Sequence, residues 1–211
     1  MVGLPLDARV LVIGAHPDDI ELGCLGTLML WGAQTRALVL TNGGQAGAGD
    51  LRVQEARSAL EHAGLDDVHF FGLPDGGLTQ ALQFATGLVE QHIHDFKPTV
   101  ILTHTEWDTH PDHRAVRDIV FAAARRQAIS IIGYHIISST QAFPVNMVVD
   151  VSAVLGDKLG CLAQHVSQAH KPYFQREYLI DWHKEKLATA VGIQAAECFH
   201  VYCSFLQGVH R

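Results

Sequence analysis

At 211 residues and 48% hydrophobic content, the chain suits one compact domain with a sizeable core. A formal charge of −7, with no Lys/Arg run, argues against nucleic acid or an anionic membrane surface as partner. The longest apolar runs fall far short of the ~20 residues of a membrane helix, and the N-terminus lacks a secretory-signal pattern. Cys24, Cys161, Cys198 and Cys203 are scattered with no Cys-x-x-Cys pair, which predicts reduced, mostly buried thiols in a cytoplasmic protein.

In chain order, residues 9–14 read as a buried strand and 20–32 as a helix with Leu22, Leu25, Leu28 and Leu30 towards the core. A strand at 35–41 leads into a Gly-rich loop at 42–50, then a helix at 51–63 with Leu51, Ala56, Ala59 and Leu60 as its apolar stripe. Residues 68–71 form a short strand, 73–77 a turn, 79–95 a helix, 99–103 a strand and 112–127 a helix. Late strands are expected at 131–138 and 147–151, and closing helices at 153–169 and 181–191. Strands and helices alternating at this pace predict a three-layer α/β/α, Rossmann-like domain with a mostly parallel sheet, spanning 1–211 as one unit. Ligands of such sheets collect at the carboxyl ends of the strands.

Two polar segments fall there. His16-Pro17-Asp18-Asp19 follows the first strand, and His110-Pro111-Asp112-His113 follows the strand that ends near His104. A catalytic zinc site needs three His or carboxylate ligands and one open position. His16 and Asp19 are close enough across a turn to grip one ion, and His113, at the start of another helix, can complete the set. Asp18 must point away from its neighbour Asp19, which leaves it free to act as general base towards water. His110, one helical turn from His113, can stabilise an oxyanion or give a proton to a departing amine, with Asp112 holding the imidazole charged and oriented. Together these groups describe metal-assisted amide hydrolysis. Read singly, each segment is also a helix-capping sequence: Asp18 or Asp19 before the first helix, Asp112 before the later one. Their joint placement after two strands favours a site.

These residues resemble the signature of the LmbE-like, or PIG-L, zinc-dependent de-N-acetylases, here Ala15 to Glu21 and His110 to His113. The likeness extends to Thr27-Leu28, Arg52, Glu55-Ala56, Ala63-Gly64, Leu73 to Gly76, Val149 to Val151, Lys158, His165 to Gln168 and Ala196 to Phe199. It implies zinc on His16, Asp19 and His113, Asp18 as base, His110 with Asp112 as the charge-stabilising pair, and Arg52 beside the substrate. The alternative for Arg52 is a solvated arginine at a helix start. Ala195 stands where some bacterial relatives carry a Tyr, so no single relative's specificity transfers. The expected activity is removal of acetyl from an N-acetylated amino sugar or N-acetylglucosaminyl conjugate, a small-molecule substrate, in a homo-oligomer of trimer or hexamer type. Fe(II) is the alternative metal; a non-sugar amidase and a catalytically silent sugar-binding protein are the rival functions.

The Gly-rich loop lacks the Gly-Lys-Ser/Thr of a phosphate loop and is expected to cover the site. Trp107 is a candidate wall for a sugar ring. His104 is expected at a strand end satisfied by backbone, Glu21 as a ligand's hydrogen-bond partner or a helix-end charge, and His165 on the helix at 153–169. His62, His69, His92, His94, His183, His200 and His210 read as ordinary core or surface residues.

Overall fold

A computed structural model describes residues 7–46, 48–184, 189 and 191–205. The first strand, β1 (Arg9–Gly14), is buried almost throughout because its apolar residues follow one another instead of alternating with polar ones. Val10 and Val12 enter one core; Leu11 and Ile13 enter the other, on the opposite face of the sheet. β1 lies between β2 (Gln34–Thr41) and β4 (Val100–Thr103), parallel to both, with β3 (Val68–Leu73) and β5 (Ser130–Tyr134) continuing the parallel ladder outwards. The sheet ends with two antiparallel strands, in the order β3-β2-β1-β4-β5-β7-β6, where β6 is Met147–Asp150 and β7 is Ala196–Cys203.

One face is covered by α1 (Asp19–Gly23), α2 (Leu25–Trp31), α3 (Gly49–His62), α6 (Leu155–Leu162) and α7 (Arg176–Trp182). The other carries α4 (Leu82–Phe96) and α5 (Pro111–Ala124). This is the three-layer α/β/α architecture expected. Among the described residues, no helix is long and apolar enough to cross a membrane.

Several boundaries differ from those expected. Periodicity predicts one helix at 20–32, but the chain breaks at Cys24 (φ −150°) into α1 and α2. The break is stabilised from afar. Lys158 Nζ donates to Leu22 O at 2.9 Å, while the Glu197 carboxylate accepts from Gly26 N–H at 2.9 Å and Thr27 N–H at 2.7 Å. Groups orphaned at the two helix ends are thus satisfied by α6 and β7. β7 itself falls where no strand is expected. The strand expected at 131–138 stops at Tyr134, and 135–138 turn towards the site; the helix expected at 153–169 stops at Leu162, before a 3-10 turn at Val166–Gln168. α7 at Arg176–Trp182 takes in the first two residues of the helix expected at 181–191, of which 185–188 and 190 fall outside the described residues.

Candidate metal centre and catalytic cavity

Loops leaving the carboxyl ends of β1 and β4 bring the two polar segments together. His16 Nδ1 lies 3.2 Å from His113 Nε2 and 3.4 Å from Asp19 Oδ2, and His113 Nε2 lies 3.3 Å from Asp19 Oδ1. Ligand atoms about 2.0–2.1 Å from one tetrahedral ion sit roughly 3.3–3.4 Å from one another. The three side chains are all buried. Their donors are two imidazole nitrogens and one carboxylate whose Oδ2 faces His16 and Oδ1 faces His113, a set whose chemistry and spacing fit a single divalent ion.

Each imidazole is aimed by a carboxylate on its far side. His16 Nε2 lies 3.0 Å from Asp75 Oδ1, and His113 Nδ1 lies 2.9 Å from Asp108 Oδ2. Such partners fix the tautomer that turns the other nitrogen towards a metal. His104 stacks on His113 with centroids 3.9 Å apart, and its Nε2 lies 3.0 Å from Asp19 Oδ2. With its proton on Nε2 it donates to that carboxylate. Sequence reasoning misses Asp75 and Asp108: Asp75 belongs to the turn after β3, and only the closed fold brings it to His16.

The electrostatics describe a cluster short of positive charge. Burial opposes charging His113, yet Asp19 and Asp108 push its pKa up to about 9. His16 is likewise raised well above the usual imidazole value, against burial, by Asp112, Asp19 and Asp75. Burial opposes ionisation of Asp19, but His113 and His104 hold it well below the carboxylate range; Asp75, hydrogen-bonded to His16, sits at about 2. Carboxylates that stay ionised while drawing protons onto their histidines are suited to exchange those protons for a cation.

Asp18 turns away from Asp19 through an unusual backbone conformation, φ +127°. Arg52 holds it there. One guanidinium nitrogen, Nη2, donates to Pro17 O at 2.9 Å and to Asp18 Oδ2 at 3.0 Å, while Nη1 donates to Gly43 O at 2.8 Å. A solvated arginine at this helix start is therefore excluded: Arg52 is buried. Gly43 has φ +67°, and a Cβ there would stand 2.3 Å from Arg52 Nη1, so the close approach requires glycine. Burial raises the Asp18 carboxyl to about 6 despite the opposing pull of Arg52.

The expected pairing of Asp112 with His110 is not what the structure holds. The Asp112 carboxylate accepts from Gly76 N–H at 2.7 Å and Leu78 N–H at 3.1 Å, tying down the turn that carries Asp75. Its backbone N–H instead donates to His110 Nδ1 at 3.2 Å, making His110 the N-cap of α5 with Pro111 in the first turn. That bond leaves the proton on Nε2. Burial, with His113 and His16 nearby, lowers the His110 pKa, so this imidazole is a neutral donor and not a charged one.

A cavity of about 360 Å³ opens over these groups, with Asp18, Arg52, His110, Lys171 and Tyr173 in its wall. Gln45 of the Gly-rich loop also lines it, anchored by Asp75, which accepts the Gln45 backbone N–H at 2.9 Å. Trp107 does not line it; its ring stacks on Tyr202 and meets Phe143 and His200 edge-on. The aromatic wall is Tyr173, which nothing in its local sequence marks. Glu21 pairs with His165 at 3.0 Å, both buried beneath the site, and His165 lies beyond the end of α6.

Residues 11–124 match the family described as PIG-L: GlcNAc-PI de-N-acetylase. The chain is 32% identical over 143 residues to an Escherichia coli K12 protein named as an uncharacterized deacetylase, YaiS, covering 64% of this chain and 77% of that protein. A Bacillus cereus protein named as a probable N-acetyl-α-D-glucosaminyl L-malate deacetylase is 27% identical over 186 residues, covering 77% of this chain and 84% of its own. The crystal structure of a conserved protein from Thermus thermophilus, TT1542, superposes with TM-score 0.75 at 28% identity, covering 98% of this chain and 99% of that one. With the match running from inside β1 to the end of α5 and so including both histidine–aspartate segments, this chain belongs to the PIG-L family of de-N-acetylases.

Proposed function

We propose that this chain is a zinc-dependent hydrolase of the cytoplasm that removes acetyl from the amino group of an N-acetylated amino-sugar conjugate, releasing acetate. The observation that carries the reading is the convergence of the His16, Asp19 and His113 side chains, whose facing nitrogen and carboxylate oxygen atoms lie 3.2–3.4 Å apart, with the Asp18 carboxyl beside them in a sugar-sized cavity. Membership of the family and likeness to a protein named for an N-acetylglucosaminyl substrate support it.

His16, Asp19 and His113 would hold the ion, which supplies Lewis acidity to the attacking water and to the acetamide oxygen. Asp18, with its pKa raised to about 6, accepts the proton of that water as a carbon–oxygen bond forms at the acetamide carbon. His110 Nε2–H donates a hydrogen bond to the oxygen that gains negative charge. The carbon–nitrogen bond then breaks as Asp18 returns the proton to the leaving nitrogen, giving a free amine and acetate. Arg52 acts by holding Asp18 in its strained backbone conformation and by closing the cavity wall.

The test is acetate release from a panel of N-acetylated sugars, sugar conjugates and N-acyl amino acids, with metal analysis of anaerobically purified protein. Asp18→Asn should keep the metal and lose about 10²- to 10⁴-fold in turnover; asparagine also tolerates positive φ. Undiminished turnover excludes Asp18 as base. Turnover confined to N-acyl amino acids replaces the sugar substrate with a simple amide, and iron in place of zinc replaces the metal.

A further inference from the structure

The cavity wall carries a cation that the reaction does not use. Lys171 sits between two 3-10 turns, Val166–Gln168 and Pro172–Phe174. Its mount is firm. The Lys171 N–H donates to Gln168 O at 2.9 Å, and its carbonyl accepts from Phe174 N–H at 3.0 Å. The preceding turn is tied to α3, where Glu55 accepts from the Ser167 N–H at 2.8 Å and its hydroxyl at 2.6 Å. A lysine on so fixed a backbone is presented and not merely tolerated.

The side chain is half-buried, with Nζ 5.5 Å from the centroid of the Tyr173 ring. Among the described residues, neither the Lys171 ammonium nor the Tyr173 hydroxyl has a hydrogen-bond or ion-pair partner. The carboxylates that share the cavity are engaged elsewhere: Asp18 with Arg52, Asp19 with His104, Asp75 with His16 and Gln45. Lys171 is thus no contact counter-ion of the metal cluster, and burial pulls its pKa below the ordinary lysine value. Two adjacent donors without acceptors suit a group that offers several lone pairs and a negative charge.

Resting on the deacetylase reading, we infer that Lys171, with Tyr173 beside it, binds an anionic group, carboxylate or phosphate, on a part of the substrate other than the acetamide. The enzyme therefore selects negatively charged amino-sugar conjugates over neutral ones. A neutral ligand would leave the half-buried ammonium short of an acceptor.

Three α-glycosides of N-acetylglucosamine separate the chemistry: methyl, carboxymethyl and 1-phosphate. Binding is measured by calorimetry on metal-loaded Asp18→Asn protein, so that the answer does not depend on turnover. At least one anionic glycoside should bind at least ~10-fold more tightly than the methyl glycoside, as a charge-assisted contact predicts. The carboxymethyl and phosphate arms show which anion is preferred. Adding Lys171→Ala should bring that ratio close to one, and Lys171→Arg should restore most of it. Equal binding of all three glycosides overturns the inference. So does a preference that survives Lys171→Ala, as direct contact of the anion with the metal would give. If the wild-type protein releases acetate from none of the three while the preference and its loss are observed, the deacetylase reading fails and the anion site stands.

Discussion

Two buried charged clusters lie on either side of α1, and they differ in what they lack. Around Glu197 the opposite charges are matched: Lys158 Nζ donates to Glu197 Oε1 at 2.6 Å and to Leu22 O at 2.9 Å, and the carboxylate also receives the Gly26 and Thr27 N–H groups. Around Asp19 the acidic groups outnumber the cations, and His113 is charged up to about 9 by its neighbours against the cost of burial. His183, beside Lys158, shows the opposite result: burial and that lysine lower it to about 4. Burial disfavours the charged imidazole at both positions, and the sign of the neighbouring charge decides the outcome. A closed cluster is scaffold; an open one has affinity left for a ligand.

The sharpest way to break this contrast is to remove a ligand from the open cluster. His113→Ala should abolish stoichiometric metal by elemental analysis and reduce acetate release by about 10³-fold or more, since several kcal/mol of charge stabilisation depend on the ion. Retained metal would show that the three donors do not act as one site. The same kind of cut in the closed cluster should instead cost stability. Glu197→Ala leaves the Lys158 ammonium buried and unpaired and uncaps α2, at about 3–5 kcal/mol, a fall of roughly 10 °C in Tm by calorimetry. An unchanged Tm would mean that the ion pair does not hold the break at Cys24.

Smaller effects refine the comparison. Asp108→Asn should keep His113 in place but weaken its orientation, lowering metal affinity about 10- to 100-fold in a chelator competition. Last comes the pH dependence of the closed side. His183 is depressed in the folded state, so the unfolded chain takes up its proton first, near 6.5, and the folded protein resists until about 4. The stabilisation is present above 6.5 and is lost as pH falls through that window, at most on the order of 3 kcal/mol. His183→Gln should remove that part of the slope in urea titrations at a series of pH values; an unaltered slope would assign it to other groups.

The legible part of the site was the part built from local spacing. His16, Asp18 and Asp19 share one turn and His110 and His113 share another, so residue type and separation were enough to pick them out. Asp75, Asp108 and His104 were not legible as partners, because a lone Asp in a turn or a His after a strand looks the same whether or not an imidazole waits across the sheet edge. The expectation that Asp112 holds a charged His110 failed for a related reason. Closeness in sequence did not tell which of two neighbours would receive the carboxylate and which only the backbone N–H.

For the fold, the alternation of buried runs with amphipathic helices was enough to specify the parallel core, because each strand must cover both faces with apolar side chains and each helix one. β7, the break at Cys24 and the place of Lys171 answer to contacts across more than a hundred residues or to a cavity that exists only once the layers close. Their local sequences carry no period of their own, so only the assembled structure could decide them: they are set by which distant partner satisfies a buried polar group, and by where none does.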